Sequence, residues 1–434
     1  MRPARFLLLA CLVACAGSKL VWRWWGNQEY AARSGAYLPW FWSFGRQTDP
    51  VMDGNRELLE RALSQGVPAV KDSIPWPVSD STNVLLITVE SFRADAIDSV
   101  GTPFLDSLRR HGISLDRHVS SANGTTYAIF SLVTGLWPTH YLDWVRHPTL
   151  DAFQRRFPKA RRITGNAVSW SFWDQDRDLF HGWKDVSNRV SSLSGHPDST
   201  FLDTVLAEIR RGQGHFVALA MLNGTHYNYT VDSSDVVCSK YSSDQFDFRH
   251  LSPNQVQLIH ARYRNAAHLV DRTLRRFFHK LDSTGLRRNT LVAITGDHGE
   301  EFMEMGFLTH TMLPDPPETR VPFLISWKDW NFHVQGWTSH VDAVDLMAGI
   351  SAAPSAPAAQ RWASRRTYPG ALTWNMVPMP ANADVFGIYD ETTWLMGQQT
   401  SKGLRMHRQV PNRLLGKLRL KEDASLLLAS QSSE

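Results

Sequence analysis

Residues 83–90 read NVLLITVE. The run is continuously apolar, rich in β-branched side chains, and closes on a carboxylate. A stretch with no polar face is buried on both sides, as the strands of a parallel sheet are. Three more runs have this character: HFVALAML (215–222), TLVAIT (290–295) and VPFLISW (321–327). Helical stretches lie between them. TPFLDSLRRHG (102–112) is stopped by a glycine, and over 256–284 Ala266, Val270, Leu274, Phe277 and Leu281 recur at helical spacing. Strands alternating with helices predict an α/β domain, a mostly parallel sheet with helices on both faces. In such sheets, sites form beyond the carboxyl ends of the strands.

Three of the runs end in reactive groups. Glu90 closes the first, NGTHYNY (223–229) places His226 after the second, and GDHGEE (296–301) places Asp297 and His298 after the third. Carboxylates and imidazole without a nearby thiolate suit one divalent ion: Mn²⁺, Mg²⁺, Zn²⁺ or Ca²⁺. Such an ion polarises a phosphoryl oxygen and lowers the pKa of a hydroxyl it holds. SSANGTTYAIFSLVTG (120–135) offers that hydroxyl, because Thr125 and Thr126 stand where a turn runs into an apolar helix. A helix N-terminus also favours an anion. A threonine there is equally an ordinary helix cap, and the residues alone leave both readings open.

Composition narrows the setting. The chain has 434 residues, 43% hydrophobic and 20% charged, with a net charge of +4. A mild, dispersed excess of this kind does not point to nucleic acid. There are three cysteines, and only Cys238 lies outside the N-terminal apolar run, so neither an intradomain disulfide nor a thiolate metal site is expected. MRPAR followed by FLLLACLVACAG (6–17) reads as a membrane anchor, a lipoprotein signal or a cleaved signal. The run falls short of the about 20 residues a span needs, unless it continues through SKLVWRWW with Lys19 and Arg23 snorkelling. Tryptophans at 22, 24, 25, 40 and 42 sit where interface aromatics would lie. A buried N-terminal helix is the alternative. Residues 1–25 are thus expected to be anchor or signal, 26–80 linker with short helices including RELLERALSQG (56–66), 81–410 the catalytic domain and 411–434 a polar tail. VFGIYDETTWLMG (385–397) is expected to form edge strands.

Several segments together carry a family resemblance. NVLLITVESFRAD, ANGTTYAIFSLVTG, YRNAAHLVDRTL, TLVAITGDHGEEF, HTMLPDPPETRVPFLI and TSHVDAVDLMAGI occur in the order found in the sulfatase division of the alkaline phosphatase superfamily. The resemblance covers about residues 80–352. It is greatest to the membrane-anchored, one-metal branch of lipoteichoic-acid synthases, phosphoethanolamine transferases and inner-membrane sulfatase-like proteins. It implies an alkaline phosphatase-like fold and metal ligation by Glu90, Thr125, Asp297 and His298. Two-metal relatives carry adjacent acids where Ser91 follows Glu90 here, which again implies one ion.

Sulfatases carry Cys-x-Pro-x-Arg, with Leu-Thr-Gly ending ten positions after the cysteine. Ten positions before Gly135 stands Thr125, with Tyr127 and Ile129 in place of the Pro and Arg. Sulfatases oxidise their Cys or Ser to an aldehyde, which a secondary alcohol cannot give, so sulfate-ester hydrolysis is disfavoured. A threonine matches the phosphotransferase branch, in which a phosphothreonine forms. The resemblance further implies that His226 contacts substrate phosphate and that His310 lies near the leaving group. Thr126 supports Thr125 by capping the helix or contacting phosphate. In SWSFWDQDRDLFHGW (169–183) Trp173 matches a head-group segment, with Gln175 at its arginine position and Arg177 two places on. Arg93 either binds phosphate or pairs with Asp95. His340 and Asp342 are expected to be structural, and Asp345 replaces a usual proline.

The expected function is phosphotransfer or phosphodiester hydrolysis on a phospholipid head group or lipid-linked glycan, by a domain anchored to the bacterial inner membrane and facing the periplasm. The alternative is a non-catalytic lipid-sensing or scaffold protein on the same fold.

Overall fold

The computed structural model describes residues 74–79, 81–167, 177–187, 197–243, 251–376, 384–389, 393–400 and 403–411. Its centre is an eight-stranded sheet in the order β10-β2-β9-β6-β1-β5-β3-β4. The strands are β1 (Asn83–Val89), β2 (Ile113–Val119), β3 (Arg161–Asn166), β4 (Lys184–Asp185), β5 (Phe216–Leu222), β6 (Thr290–Gly296), β9 (Phe323–Ser326) and β10 (Phe332–Ser339). Every pairing is parallel except those of β9 with β6 and β2. All four apolar runs read from the sequence are strands of this sheet.

β1 shows why its sequence has no polar face. Val84 and Leu86 enter one core, with Ile129, Phe130, Val344 and Met347. Leu85, Ile87 and Val89 enter the other, with Leu105, Phe201, Val270 and Leu274. The first core is covered by α2 (Thr125–Thr134), α5 (Ala343–Ala352) and α6 (Ala356–Ser364). The second is covered by α1 (Pro103–His111), α3 (Pro197–Arg211) and α4 (Pro253–Ser283). Each fully buried Leu, Ile or Val contributes roughly 1.5–3 kcal/mol.

α4 begins with a reciprocal Ser252–Gln255 cap and Pro253 in its first turn. All the apolar residues that set its helical period are buried. α1 lacks a side-chain cap of its own. Asp271 of α4 supplies one from across the core, accepting from Phe104 N at 3.2 Å and Leu105 N at 2.7 Å.

Residues 385–389 and 393–397 do not edge the main sheet. They fall in a separate antiparallel sheet of β11 (Ala371–Trp374), β12 (Asp384–Tyr389), β13 (Thr393–Thr400) and β14 (Gly403–Pro411). The strands meander, each pairing with the next. The expected anchor, the helix at 56–66, Trp173 and the 412–434 tail lie outside the described residues. Among the described residues no helix is long and apolar enough to cross a membrane.

Candidate active site

Register brings the strand ends together. Val89 of β1 pairs with Leu222 of β5 on one side and Gly296 of β6 on the other. Glu90 N then donates to Leu222 O, and Asp297 N to Val89 O. The residues that follow the three strands therefore emerge at one edge of the sheet.

Leaving β1, the chain turns sharply. Ser91 has φ of 56°, a left-handed conformation that costs energy for a residue with a Cβ. Three bonds hold it: Ser91 N to Asp297 Oδ1 at 2.9 Å, Tyr263 Oη to Ser91 O at 2.9 Å, and Arg93 N to Tyr263 Oη at 2.9 Å. Gly296 lets β6 close against this turn, because a Cβ there would lie 2.3 Å from Phe92 O.

Thr125 arrives on the first turn of α2. The cap position is Gly124, and no side chain caps the helix. The capping roles open to Thr125 and Thr126 in the sequence are therefore unfilled. The Thr125 hydroxyl instead donates to Glu90 Oε1 at 3.0 Å and lies 3.3 Å from His298 Nε2. That nitrogen is also 3.4 Å from Glu90 Oε1 and 3.5 Å from Asp297 Oδ2. His298 Nδ1 is turned to Gly299 O at 2.8 Å, which aims Nε2 into the cluster. Gly135, at φ 71°, ends α2 in the left-handed region glycine favours.

The electrostatics of the cluster are those of a cation site. Burial would raise Glu90, but the hydrogen bond and charge of His298 outweigh it and hold the carboxyl low. Burial and the charge of Glu90 push Asp297 up. Burial opposes charge on His298, yet Asp297 and Glu90 draw it up. Two buried carboxylates thus compete for one imidazole proton. Asp297 Oδ2 has no hydrogen-bond partner among the described residues, although the residue is fully buried. Hard oxygens, one imidazole nitrogen and an orphaned carboxylate oxygen are a donor set that a divalent ion satisfies.

His310 joins this cluster more closely than the sequence indicated. A ligand atom of His310 lies within 4.8 Å of those of Glu90 and His298. The His298 and His310 rings are 4.2 Å apart, and His310 Nδ1 is 3.3 Å from both Glu300 Oε1 and Ser91 Oγ. His226 stands 6.2 Å from His310, its Nδ1 on Tyr227 O, and burial lowers its pKa. Glu90, Thr125, Thr126, His226 and His310 all line one cavity of about 190 Å³. Asn166, Met221, Asn223, Thr311 and Met376 complete it, with no lysine or arginine among the described lining residues.

Of the two roles open to Arg93, the structure shows the pairing with Asp95. Its Nε and Nη2 bond Asp95 at 2.8 and 2.6 Å, and its Nη1 bonds Glu304 at 2.6 Å and Glu300 O at 2.8 Å. Every guanidinium nitrogen is engaged by the protein, and Arg93 does not line the cavity. Arg177 opens a short turn, Arg177–Phe180. His340 is fully buried beside His118, Asp342 accepts from Ser339 N and Tyr368 Oη, and Asp345 pairs with Arg156 at 2.6 Å. Sequence reasoning missed Asn166, which ends β3 at the same sheet edge. The strand-end rule reaches it, but RRITGN (161–166) opens on two arginines and does not read as a buried run.

Residues 82–353 match the sulfatase family model. The chain belongs to the sulfatase family. Its fold is that of the alkaline phosphatase superfamily, whose members are hydrolases or transferases and use a metal ion. The low-salt glycan biosynthesis sulfotransferase Agl7 of Haloferax volcanii is 24% identical over 229 residues, 52% of this chain and 48% of that protein. The chain spans about half the length of the curated relatives it matches. The phosphonate monoester hydrolase of Agrobacterium radiobacter superposes with a TM-score of 0.58 at 15% identity, covering 79% of this chain and 92% of that one. The lipoteichoic acid synthase LtaP of Listeria monocytogenes superposes with a TM-score of 0.56 at 14% identity, covering 86% and 96%. These likenesses are of fold.

Proposed function

We propose that this sulfatase-family chain is a phosphotransferase or phosphodiester hydrolase for phospholipid head groups or lipid-linked glycans of a cell envelope, working through a phosphothreonine on Thr125. One observation carries the reading: the Thr125 hydroxyl donates to Glu90 and lies 3.3 Å from His298 Nε2, at the N-terminus of α2. A secondary alcohol cannot become the aldehyde that sulfate-ester hydrolysis in this family requires. That one solved neighbour is a phosphonate monoester hydrolase and another a lipoteichoic acid synthase supports the reading.

Glu90, Thr125, Asp297 and His298 would hold the family's divalent ion, with His310 in reach. When bound, that ion supplies positive charge that favours the Thr125 alkoxide and offsets charge on the phosphoryl oxygens. In the first step the Thr125 Oγ1–P bond forms and the bond from phosphorus to the leaving oxygen breaks. The hydroxyl proton passes along its hydrogen bond to Glu90 Oε1, and the leaving oxygen takes a proton from the imidazole of His226 or His310. In the second step water or an acceptor hydroxyl bonds to phosphorus and gives its proton to that imidazole. The P–Oγ1 bond breaks, and Thr125 recovers its proton from Glu90. Backbone N–H groups of the first turn of α2 favour the phosphate anion. The described lining residues beyond the cluster carry no lysine or arginine, which suits a diester, with a single negative charge, better than a dianionic monoester.

The apolar N-terminal segment would tether the domain to a membrane on its extracytoplasmic face. The chemistry is tested by a panel of esters given to the purified chain with Mn²⁺, Mg²⁺, Zn²⁺ or Ca²⁺. Phosphodiesters are expected to turn over and sulfate esters not. Turnover of sulfate esters alone would replace this reading, and turnover of none would favour the lipid-sensing scaffold.

A further inference from the structure

A second group of acids lies near the first but shares no residue with it. Glu301 in β7 (Glu301–Phe302), Asp315 and Glu318 are all fully buried. One carboxylate oxygen of each lies within 4.8 Å of the others. Glu318 accepts from Met312 N, Leu313 N and Asn123 Nδ2, and Asp315 Oδ1 accepts from Glu318 N at 3.1 Å. Glu301 Oε1 accepts from Met305 N and Phe307 N. Glu301 Oε2 is different: it has no hydrogen-bond partner among the described residues, although its side chain is wholly shut off from solvent.

The strongest charges acting on Glu301 are those of Asp315 and Glu304, and on Glu318 those of Asp315 and Glu301. All are negative. Burial and this repulsion push both carboxyls well above their usual range. Buried carboxylates persist only when protonated or when they face a cation. Two oxygens that share a Ca²⁺ ion at about 2.4 Å stand at most about 4.8 Å apart. The cluster is therefore compact enough for one ion. Its donors are oxygen alone, the preference of a hard cation.

We propose that Glu301, Asp315 and Glu318 hold a structural divalent cation, calcium by its ligand chemistry, separate from the ion at Glu90 and His298. The site joins three segments that carry the chemistry. Asn123, bonded to Glu318, stands two residues before Thr125. Met312 and Leu313, also bonded to Glu318, follow His310. Glu301 follows Asp297 and His298 at the start of the hairpin of β7 with β8 (Leu308–Thr309). The ion would fasten these segments to one another and take no part in the reaction.

The test uses the full-length chain, stripped with EDTA and titrated with CaCl₂, in an Asp297→Asn background that weakens the other site. Bound calcium is counted by equilibrium dialysis with atomic emission, and thermal unfolding is followed in parallel. Asp297→Asn is expected to bind one calcium per chain and to gain about 2–5 °C in Tm at about 100 times the Kd. Adding Glu301→Gln, or Asp315→Asn where that variant fails to fold, is expected to remove both effects. The proposal is overturned if Asp297→Asn binds no calcium. It is also overturned if the added substitution leaves calcium binding intact, or raises Tm in calcium as relief of repulsion among proton-sharing acids would. Neither result bears on the role of Thr125, which is read from the ester panel.

Discussion

The Thr125 hydroxyl meets Glu90 Oε1 at 3.0 Å, although one residue starts a helix and the other ends the central strand. The cap position of α2 is Gly124, which has no side chain to offer, and the Thr125 hydroxyl does not make up for it. A hydroxyl that only stabilised its helix would turn back to the first-turn N–H groups. This one turns to a buried carboxylate and an imidazole.

Thr125→Ala is accordingly expected to lower kcat by about 10³-fold or more while moving Tm little, since no cap is lost. Thr125→Ser keeps a hydroxyl and should retain activity within about 10²-fold of the parent. Steady-state kinetics on a phosphodiester, with Tm from calorimetry, check both. A large fall in Tm for Thr125→Ala would return the residue to a structural role.

Tyr263 holds the strained turn that aims Glu90. Tyr263→Phe leaves Ser91 O and Arg93 N without their partner, at a cost of about 1–3 kcal/mol. As a positioning residue it should affect kcat more than KM. Chemical denaturation and kinetics on the same preparation separate the two effects.

Arg93 is fastened between Asp95 and Glu304 and does not line the cavity. Arg93→Ala should destabilise the fold by about 1–3 kcal/mol, because Asp95, Glu304 and the carbonyl of Glu300 lose a shared, largely buried hydrogen-bond donor. The KM of the folded fraction should stay within about threefold. A KM that rose far more than this would restore the phosphate-binding role.

Asp271 caps α1 from within the core, and burial pushes its carboxyl up to about 6. The folded chain therefore holds this proton at a pH where the unfolded chain, near 3.8, has lost it. The contribution is full below about pH 4 and is lost as pH rises through about 6. Asp271→Asn removes the titration. The difference in stability between wild type and variant should therefore shift by about 1–3 kcal/mol between pH 4 and 7, against the wild type as pH rises. Urea denaturation across that range measures it.

Much of the fold was legible because the central strands are buried on both faces. Leu86 and Ile87 are adjacent in sequence and serve opposite cores, so the run that carries them cannot alternate. Strands with a polar side were not legible. β2 carries Asp116 and Arg117, and β3 opens on Arg161 and Arg162, so neither shows an apolar run. Strand ends pointed to Glu90, Asp297 and His298, and spacing from Gly135 pointed to Thr125. The pairing of Arg93 with Asp95 was one of two readings the sequence offered, but the choice was hidden, since it depends also on Glu304, brought close by the β7–β8 hairpin. The left-handed turn at Ser91 and the cluster of Glu301, Asp315 and Glu318 were hidden for the same reason. Their partners meet only in the folded chain.

The central claim is that Thr125 carries the phosphoryl group. Intact mass and peptide mapping of the chain, quenched during incubation with phospholipid vesicles and a divalent ion, test it most directly. The account predicts a phosphoryl-bearing adduct on Thr125, absent from Thr125→Ala and from chelator-treated wild type. Turnover without any adduct on Thr125, or an adduct that persists in Thr125→Ala, would contradict it.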